Sequence, residues 1–415
     1  MRSLNSLWLT LLVSTTQSSL AQPQYNQVSK LRLNYSTSTS HLDDESGFTG
    51  IQFDFNAKAR FSRQWQAQFE ALFEESEYEE NNRHHIKQAF IKYRAASFDI
   101  SAGKQIFSWG KANAINPVDV VTPRDYTISR PFLSDQRSGV ESIKVDYYAT
   151  PTFSTTVAAI WKHEPSTIHF PGNEQVDYIV DDSTNVNTAS PQWVLRTRHY
   201  HDDLDWSLYY YRGHNLLPEA FRTNQPDNQP YNPSIHFQYP EVRVAGFDLN
   251  YVFGRNSLKM EFATNHPTAN NNNFGMPSFD ALVVGLSHHL QQYLILDIQW
   301  TTRYSKDDSL NNNLTELQQH AMQLNKFIYQ VPKTHNSGMT IKLENQWLHE
   351  TLFAEWYAHH HFVDNSTFEQ LIVTYRYREN IKLTLSNQRY HGEKSSLYGS
   401  LKKNQNTYFE IQYTF

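Results

Sequence analysis

The feature that most constrains this chain is a period of two. Across 48–60, Ile51, Phe53, Phe55, Ala57 and Ala59 fall on one face, with Gln52, Asp54, Asn56, Lys58 and Arg60 on the other. Across 63–75, Trp65, Ala67, Phe69, Ala71 and Phe73 oppose Gln64, Gln66, Gln68, Glu70 and Glu74. The pattern returns where Leu294, Leu296, Ile298 and Trp300 oppose Asp297, Gln299, Thr301 and Arg303, and where Met339, Ile341 and Leu343 oppose Thr340, Lys342 and Glu344. Side chains on a strand alternate between its two faces, so each segment reads as a strand with one apolar face. At 9–13 residues, such strands are long enough to cross a bilayer at a tilt. No apolar run approaches the roughly eighteen residues that a membrane helix needs. Hydrophobic residues make up 39% of the chain and aromatic residues 14%. That is too polar for a helical bundle in lipid, yet rich in the rings that girdle a membrane barrel.

The connections sort into two kinds. Short ones lie near 61–63, 95–97, 149–152, 201–204, 253–256, 290–292, 348–350 and 378–380. Long ones lie near 37–47, 76–84, 107–139, 164–190, 214–239, 265–278, 304–336 and 392–404, with a brief exception at 363–366. The two kinds alternate, and seventeen connections imply eighteen strands with both termini on the short-turn side. The fold expected is all-β: a transmembrane antiparallel β-barrel of about 18 strands, 16 being within the counting, with short periplasmic turns and long extracellular loops. A closed barrel satisfies every backbone group without an edge, as lipid demands. A β-sandwich does not explain the alternation of loop lengths, and no fixed repeat supports a propeller or β-helix.

Residues 1–21 read as an export signal: Arg2, the apolar run Leu7–Val13, and the small-x-small site Ser19-Leu20-Ala21. Residues 22–415 are then one barrel domain. The chain has no cysteine, so neither a lipoprotein anchor nor a disulfide framework is available. At the C-terminus Phe409, Ile411, Tyr413 and Phe415 share one face. This segment resembles the closing strand of bacterial outer-membrane barrels, which the barrel assembly machinery reads. The resemblance implies an outer-membrane location, with lipid and lipopolysaccharide as surroundings; monomer and homotrimer both remain open.

One long connection stands apart. Through 104–137, the third outward loop mixes Trp109, Tyr126 and Phe132 with Lys111, Arg124, Arg130 and Arg137 and with Asp119, Asp125 and Asp135. Prolines at 117, 123 and 131 forbid a continuous ladder, since each lacks a donor. A long connection of this composition is functional more often than not. Its Gly103-Lys104-Gln105, Trp109-Gly110, Ile115-Asn116-Pro117-x-Asp119 and Pro123-Arg124-Asp125 resemble a set of porin-like outer-membrane proteins with a similar GKQ…WG…INPxD…PRD run. That resemblance implies a channel for small solutes whose third loop folds into the lumen. The expected constriction sets Lys111, Arg124, Arg130 and Arg137 against Asp119, Asp125 and Asp135, a transverse field that orients solutes. Lys58, Arg60, Glu70, Glu74 and Arg303 are expected to complete the wall. The competing expectation is a rigid cap whose charges pair with one another.

Other candidates are weaker. His359 and His361 share a strand face and His360 points away, too few ligands for zinc, so the three are expected as exposed rim residues. His84-His85 and His288-His289 meet the same objection, and no metal or other cofactor is expected. The acidic run Glu74–Glu80 suits a solvated loop, or cation bridging to lipopolysaccharide. Leu314, Leu317, Ala321, Leu324 and Ile328 recur at helical spacing, predicting a short amphipathic helix within 310–328 at the barrel mouth. No nucleophile elbow, phosphate loop or HExxH is present, which argues against an enzyme. The net charge of −6 argues against nucleic acid. The functional expectation is passive diffusion of small solutes. The alternatives are a partly plugged barrel for hydrophobic compounds or export substrates, and a non-conducting adhesin or scaffold.

Overall fold

The computed structural model describes residues 24–37, 47–77, 82–113, 115–127, 130–168, 177–180, 191–221, 234–268, 276–306 and 315–415. The expected leader, Leu314 and the stretch 78–80 of the acidic run lie outside them. The first third holds β1 (Gln24–Thr37), β2 (Gly47–Arg60), β3 (Trp65–Ser76), β4 (Arg83–Arg94), β5 (Phe98–Gln105), β6 (Val140–Tyr148) and β7 (Phe153–Ile160). Next come β8 (Asp177–Val180), β9 (Gln192–His201), β10 (Leu204–His214), β11 (Glu219–Phe221), β12 (Ser234–Gln238), β13 (Glu241–Phe253) and β14 (Asn256–Pro267). The remainder is β15 (Phe279–His289), β16 (Ile295–Ser305), α1 (Glu316–Ile328), β17 (His335–Trp347), β18 (Leu352–His361), β19 (Ser366–Arg378), β20 (Ile381–His391) and β21 (Asn406–Thr414).

Eighteen of these strands form one antiparallel sheet, each paired with its sequence neighbour in the barrel. The sheet closes where β1 meets β21, in a register that sets Leu33 opposite Ile411 and Tyr35 opposite Phe409. The alternating pattern has its expected consequence. Phe409, Ile411, Tyr413 and Phe415 stand exposed on the outside, while Tyr408, Glu410 and Gln412 are buried inside. The outer surface carries exposed rings near the short turns (Tyr147, Tyr200, Tyr251, Trp347) and near the long loops (Tyr35, Phe73, Trp193, Tyr304). Two aromatic belts at those heights suit a barrel that sits in a bilayer.

The inner face departs from expectation. The alternation turns polar residues inward, but on β7–β15 the half of the inward row nearer the long loops is largely apolar: Ala158, Ile160, Val194, Tyr209, Tyr211, Val242, Val244, Ala263, Ala281 and Val283 are buried, with Asp205, Ser207, Asp248 and Ser287 further toward the short turns. These residues have no lipid to face. All but Ala281 and Val283 form the wall of a core inside the barrel, packed with Phe107, Trp109, Val118 and Val121 of the third long loop and with Met276, Tyr329 and Val331.

Loops also cap the mouth. Strands β11, β12 and β8 form a separate three-stranded sheet, against which α1 buries Ala321 beside Ala220, Ile235 and Phe237. The helix expected within 310–328 is α1, and it starts where Thr315 and Gln318 form a reciprocal capping box. Asn325 fastens the two layers. Its amide donates to Ala220 O at 2.9 Å, and its carbonyl accepts from Ala220 N at 2.7 Å, as a neighbouring strand would.

Candidate functional site

The third long loop, 106–139, leaves β5 and turns inward. Gln105 is buried at the exit and donates to Ser142 Oγ and O, both at 3.1 Å, on β6. The two arms of the loop are clamped by one hydroxyl: Phe107 N–H donates to Thr122 Oγ1 at 2.8 Å, and that hydroxyl donates back to Phe107 O at 2.7 Å. Between them Gly110 takes φ +91°, and a Cβ there would sit 2.1 Å from Asn116 Nδ2. Asn116 is fixed in turn, donating to Trp109 O at 2.6 Å and accepting from Val118 N–H at 3.2 Å. The Trp109-Gly110 and Asn116 positions are therefore a fold requirement for the bend. Gly110→Val should cost about 1–3 kcal/mol of local strain and unseat the bend. We expect the variant barrel to stay heat-modifiable on gels while the loop becomes cleavable by added protease.

The first arm docks on the apolar wall. Trp109 stacks edge-on with Phe107 at 5.8 Å and lies 5.2 Å from the Tyr209 ring. Val118 approaches so closely that a Cβ on Gly246 would meet its Cγ1 at 2.9 Å. Polar anchors flank this contact. Glu261, fully buried on β14, accepts the Lys111 and Ala112 N–H groups, and the Lys111 ammonium pairs with Asp205 on β10.

The second arm holds the other expected charges, and they are bonded. Asp119, whose side chain is 2% exposed, joins Arg124 at 2.7 Å and Arg137. Asp125 accepts from Arg83 Nε at 3.1 Å. Arg130 contacts Gln52, Glu74 at 2.9 Å and Asp135 at 3.4 Å, and Asp135 accepts from Arg32 at 2.7 Å. A β-bulge opposite Glu70/Ala71 in the β3–β4 ladder helps. It adds Lys87 to the wall, where its ammonium reaches Ser134 O at 3.2 Å and Glu70 at 3.6 Å.

The sequence-predicted residues thus divide. Lys111, Asp119, Arg124, Asp125, Arg130, Asp135 and Arg137 are brought together inside the barrel as pairs, and Glu70 and Glu74 meet them from the wall. Lys58 and Arg60 are exposed and take no part; Arg60 reaches Ser62 O at 3.4 Å beside a short turn. Arg303 sits on β16, donating to Tyr329 O and lying over Phe279 at 5.0 Å. Sequence reasoning missed Arg32, Arg83, Lys87, Asp205 and Glu261. Their only signal was a charged residue on a lumen-facing strand position, which is common.

Burial would raise the Asp135 pKa, but the Arg32 and Arg130 guanidiniums outweigh it and hold the carboxyl below its ordinary 3.8. A carboxyl depressed in the folded state contributes stability above its unfolded pKa and loses it as pH falls through the folded value. Protease protection of the loop should therefore be flat from pH 8 to about 5 and fall only in stronger acid, below about 4.

One side of the lumen is left accessible. Tyr126 and Leu133 of the loop are 48% and 45% exposed. Tyr126 is enclosed by protein all the same, and that enclosure pushes its phenol pKa up. On the inner face, β18–β20 carry a chain of rings: Tyr357–Phe368 at 5.9 Å, Phe368–Tyr390 at 5.0 Å, and Tyr398 6.0 Å from Phe368. Tyr398 comes from the last long loop, 392–405, which folds inward. Here the histidine expectation is corrected. His359 and His361 are buried, 3% and 5% exposed, because that loop and the β18–β19 turn cover them: Tyr398 OH of the loop lies 2.6 Å from His359 Nδ1, and Asp364 of the turn 2.8 Å from His361 Nδ1. Among the described residues no cluster has the ligands for a metal ion.

A closed 18-stranded antiparallel barrel with an inward-folded third loop has the fold of the outer-membrane porins. OccK5 (OpdH) of Pseudomonas aeruginosa is similar with a TM-score of 0.57 at 10% identity, over 94% of this chain and 98% of that one. OpdL of the same organism gives 0.57 at 11%, with the same coverage, and OpdQ gives 0.55 at 10%, again 94% and 98%. Residues 35–415 match the family described as a protein of unknown function, DUF1302, and the chain belongs to that family. No curated protein matches it by sequence.

Proposed function

We propose that this protein is a porin-like channel of the bacterial outer membrane, passing small solutes by diffusion, with the loop 106–139 as its constriction. One observation carries the reading. The loop is fixed to the barrel wall on both its arms, yet its Tyr126 and Leu133 stand exposed, and the inner face of β18–β20 carries a chain of rings that the loop charges do not reach. The passage is then off-centre. It runs past the ring-bearing wall of β18 and β19, not across the paired charges of the second arm. Those pairs hold the constriction in place and contribute little transverse field, since each cation already has its anion beside it.

The aromatic wall favours solutes with apolar surface over strongly hydrated ions, because stacking and dispersion reward ring-to-ring contact. Refolded protein in planar bilayers tests the reading. Wild type should conduct in stable steps, and a variant with 111–135 replaced by a short Gly/Ser linker should conduct several-fold more with weaker ion preference. A wild type that never conducts under any voltage would sink the channel and leave the scaffold reading.

A further inference from the structure

The outer surface carries a row of side chains that its ladders alone would not favour. At the height of the long-loop aromatic belt, neighbouring strands set Trp193, Arg212, Arg243 and His266 directly opposite one another, from β9 through β10 and β13 to β14. They are exposed, and they alternate along their strands with the buried Tyr211, Val242, Val244 and Asn265. Residues directly opposite in a ladder are close neighbours, and like charges placed so repel. Arg212 has Glu241 at 2.9 Å and Lys306, just past β16, has Asp280 at 2.7 Å. Among the described residues no acid meets Arg243, which stands between the Arg212 guanidinium and the His266 imidazole.

The row extends toward β16. His266 Nε2 lies 3.0 Å from Thr264 Oγ1, and the Lys306 ammonium donates to the same hydroxyl at 3.2 Å. Toward the middle of the strands the same face turns apolar. Tyr210 stands opposite Ala245, and Leu208 opposite Phe247, whose ring lies 5.9 Å from that of Phe262. Near the long loops on β3 the outward charge is instead Glu75, 3.1 Å from His84. The cationic row is therefore local to β10–β16 and does not girdle the barrel.

We propose that this row is the docking face for a phosphorylated glycolipid of the outer leaflet, lipopolysaccharide. A phosphate lies between Arg212 and Arg243, and the acyl chains run along Leu208, Phe247 and Phe262. The proposal rests on the outer-membrane reading and goes beyond the channel by assigning the outer wall a specific lipid. Guanidiniums take phosphate oxygens through paired, charge-assisted hydrogen bonds. An anion held between two of them turns their repulsion into a shared attraction, and supplies Arg243 with the partner that the chain does not.

The test is calorimetric titration of refolded protein in zwitterionic micelles with phosphorylated lipid A, its dephosphorylated form and inorganic phosphate. Wild type should bind the phosphorylated lipid, the dephosphorylated one about tenfold more weakly, and free phosphate not measurably, since it brings no chains. Arg243→Gln should weaken the phosphorylated lipid by about tenfold, and Arg243→Lys should keep most of the binding. Arg389→Gln is the control: Arg389 already faces Glu369 across the β19–β20 ladder, so this variant should bind as wild type does.

Melting separates docking from a structural role. Without lipid, Arg243→Gln should melt as high as wild type or higher, because one of two like charges is gone. Added lipid should raise the melting temperature of wild type more than that of the variant. Equal binding of the two lipids, free phosphate bound as tightly as lipid, wild-type affinity in Arg243→Gln, or a lipid-free variant that melts well below wild type would each overturn the proposal. So would a lipid-free oligomer that Arg243→Glu dissociates, which gives the face to a second copy of the chain. A barrel that binds the lipid yet never conducts keeps the docking face and loses the channel, and one that conducts without binding it does the reverse.

Discussion

Asp119→Ala should release the constriction while leaving the barrel closed. The Asp119 side chain is 2% exposed and takes two guanidiniums, those of Arg124 and Arg137, which are about 15% exposed. Removing one partner of a buried ion pair typically costs about 3–5 kcal/mol, because the remaining charge is left without compensation. Here two cations are stranded together. Arg124 and Arg137 also form a backbone bridge across the base of the second arm, so their repulsion would push apart the strands of the loop itself. None of this touches the strand ladders, which carry the fold. We expect the variant to migrate as a folded barrel, to lose protease protection across 106–139, and to show larger, noisier conductance. Asp119→Asn, which keeps the shape and some hydrogen bonding, should fall between. Wild-type conductance and wild-type protection in the alanine variant would mean that the second arm is held by something else.

The second large effect is expected at Trp109. Its ring is 6% exposed and wedged between Phe107, Tyr209 and the apolar wall. Trp→Ala in a packed core costs about 3–5 kcal/mol, and in this protein that core is inside the barrel. On the channel reading proposed above, the cavity adjoins a solvent-filled lumen and would not stay dry. We therefore expect Trp109→Ala to admit water behind the first arm, weaken the hold of Glu261 on the Lys111 and Ala112 N–H groups, and widen the channel. Thermal melting of the barrel should move little, whereas the loop should exchange its amide hydrogens much faster. A melt shifted as far as the loop is loosened would place Trp109 in the global fold instead.

The barrel was legible because lipid enforces the pattern that announces it. Leu296 to Trp300 and Phe409 to Phe415 alternate strictly, since one side meets hydrocarbon and the other does not. Loop lengths then gave the strand count. The interior was much less legible. Tyr209 and Tyr211 on β10, and Val242 and Val244 on β13, break the apolar-out rule. Their apolar side chains face loop residues about a hundred or more positions away in sequence, and local periodicity carries no record of that partner. The residues Val157-Ala158-Ala159-Ile160 do hint at it, as a run apolar on both faces, the mark of two-sided burial.

The site shows the same limit. That the loop enters the lumen was implied by its resemblance to porin-like proteins, since length and composition alone say only that it is functional. Its charges were read either as facing each other across water or as pairing within a cap, and neither reading named the wall residues on β1, β2 and β3 that Arg130 and Asp135 reach. Pairing of that kind depends on three-dimensional register, and a sequence supplies only the candidates. His359 and His361 were assigned to an exposed rim for the same reason: the loop that helps to bury them, 392–405, carries no mark of where it folds.

The central claim is that the passage follows the aromatic side of the lumen and the apolar side is sealed. The chain has no cysteine, so single cysteines can map this directly in an open channel. Gln370, half-buried on the inner face of β19 between Tyr357 and Gln388, lies on the proposed route. Val244, 3% exposed under the loop on β13, lies off it. A charged, water-soluble thiol reagent added during conductance recording should react with Gln370→Cys and lower the current, and should leave Val244→Cys untouched. Fast modification at Val244→Cys with none at Gln370→Cys would put the route on the other side of the loop and contradict the account.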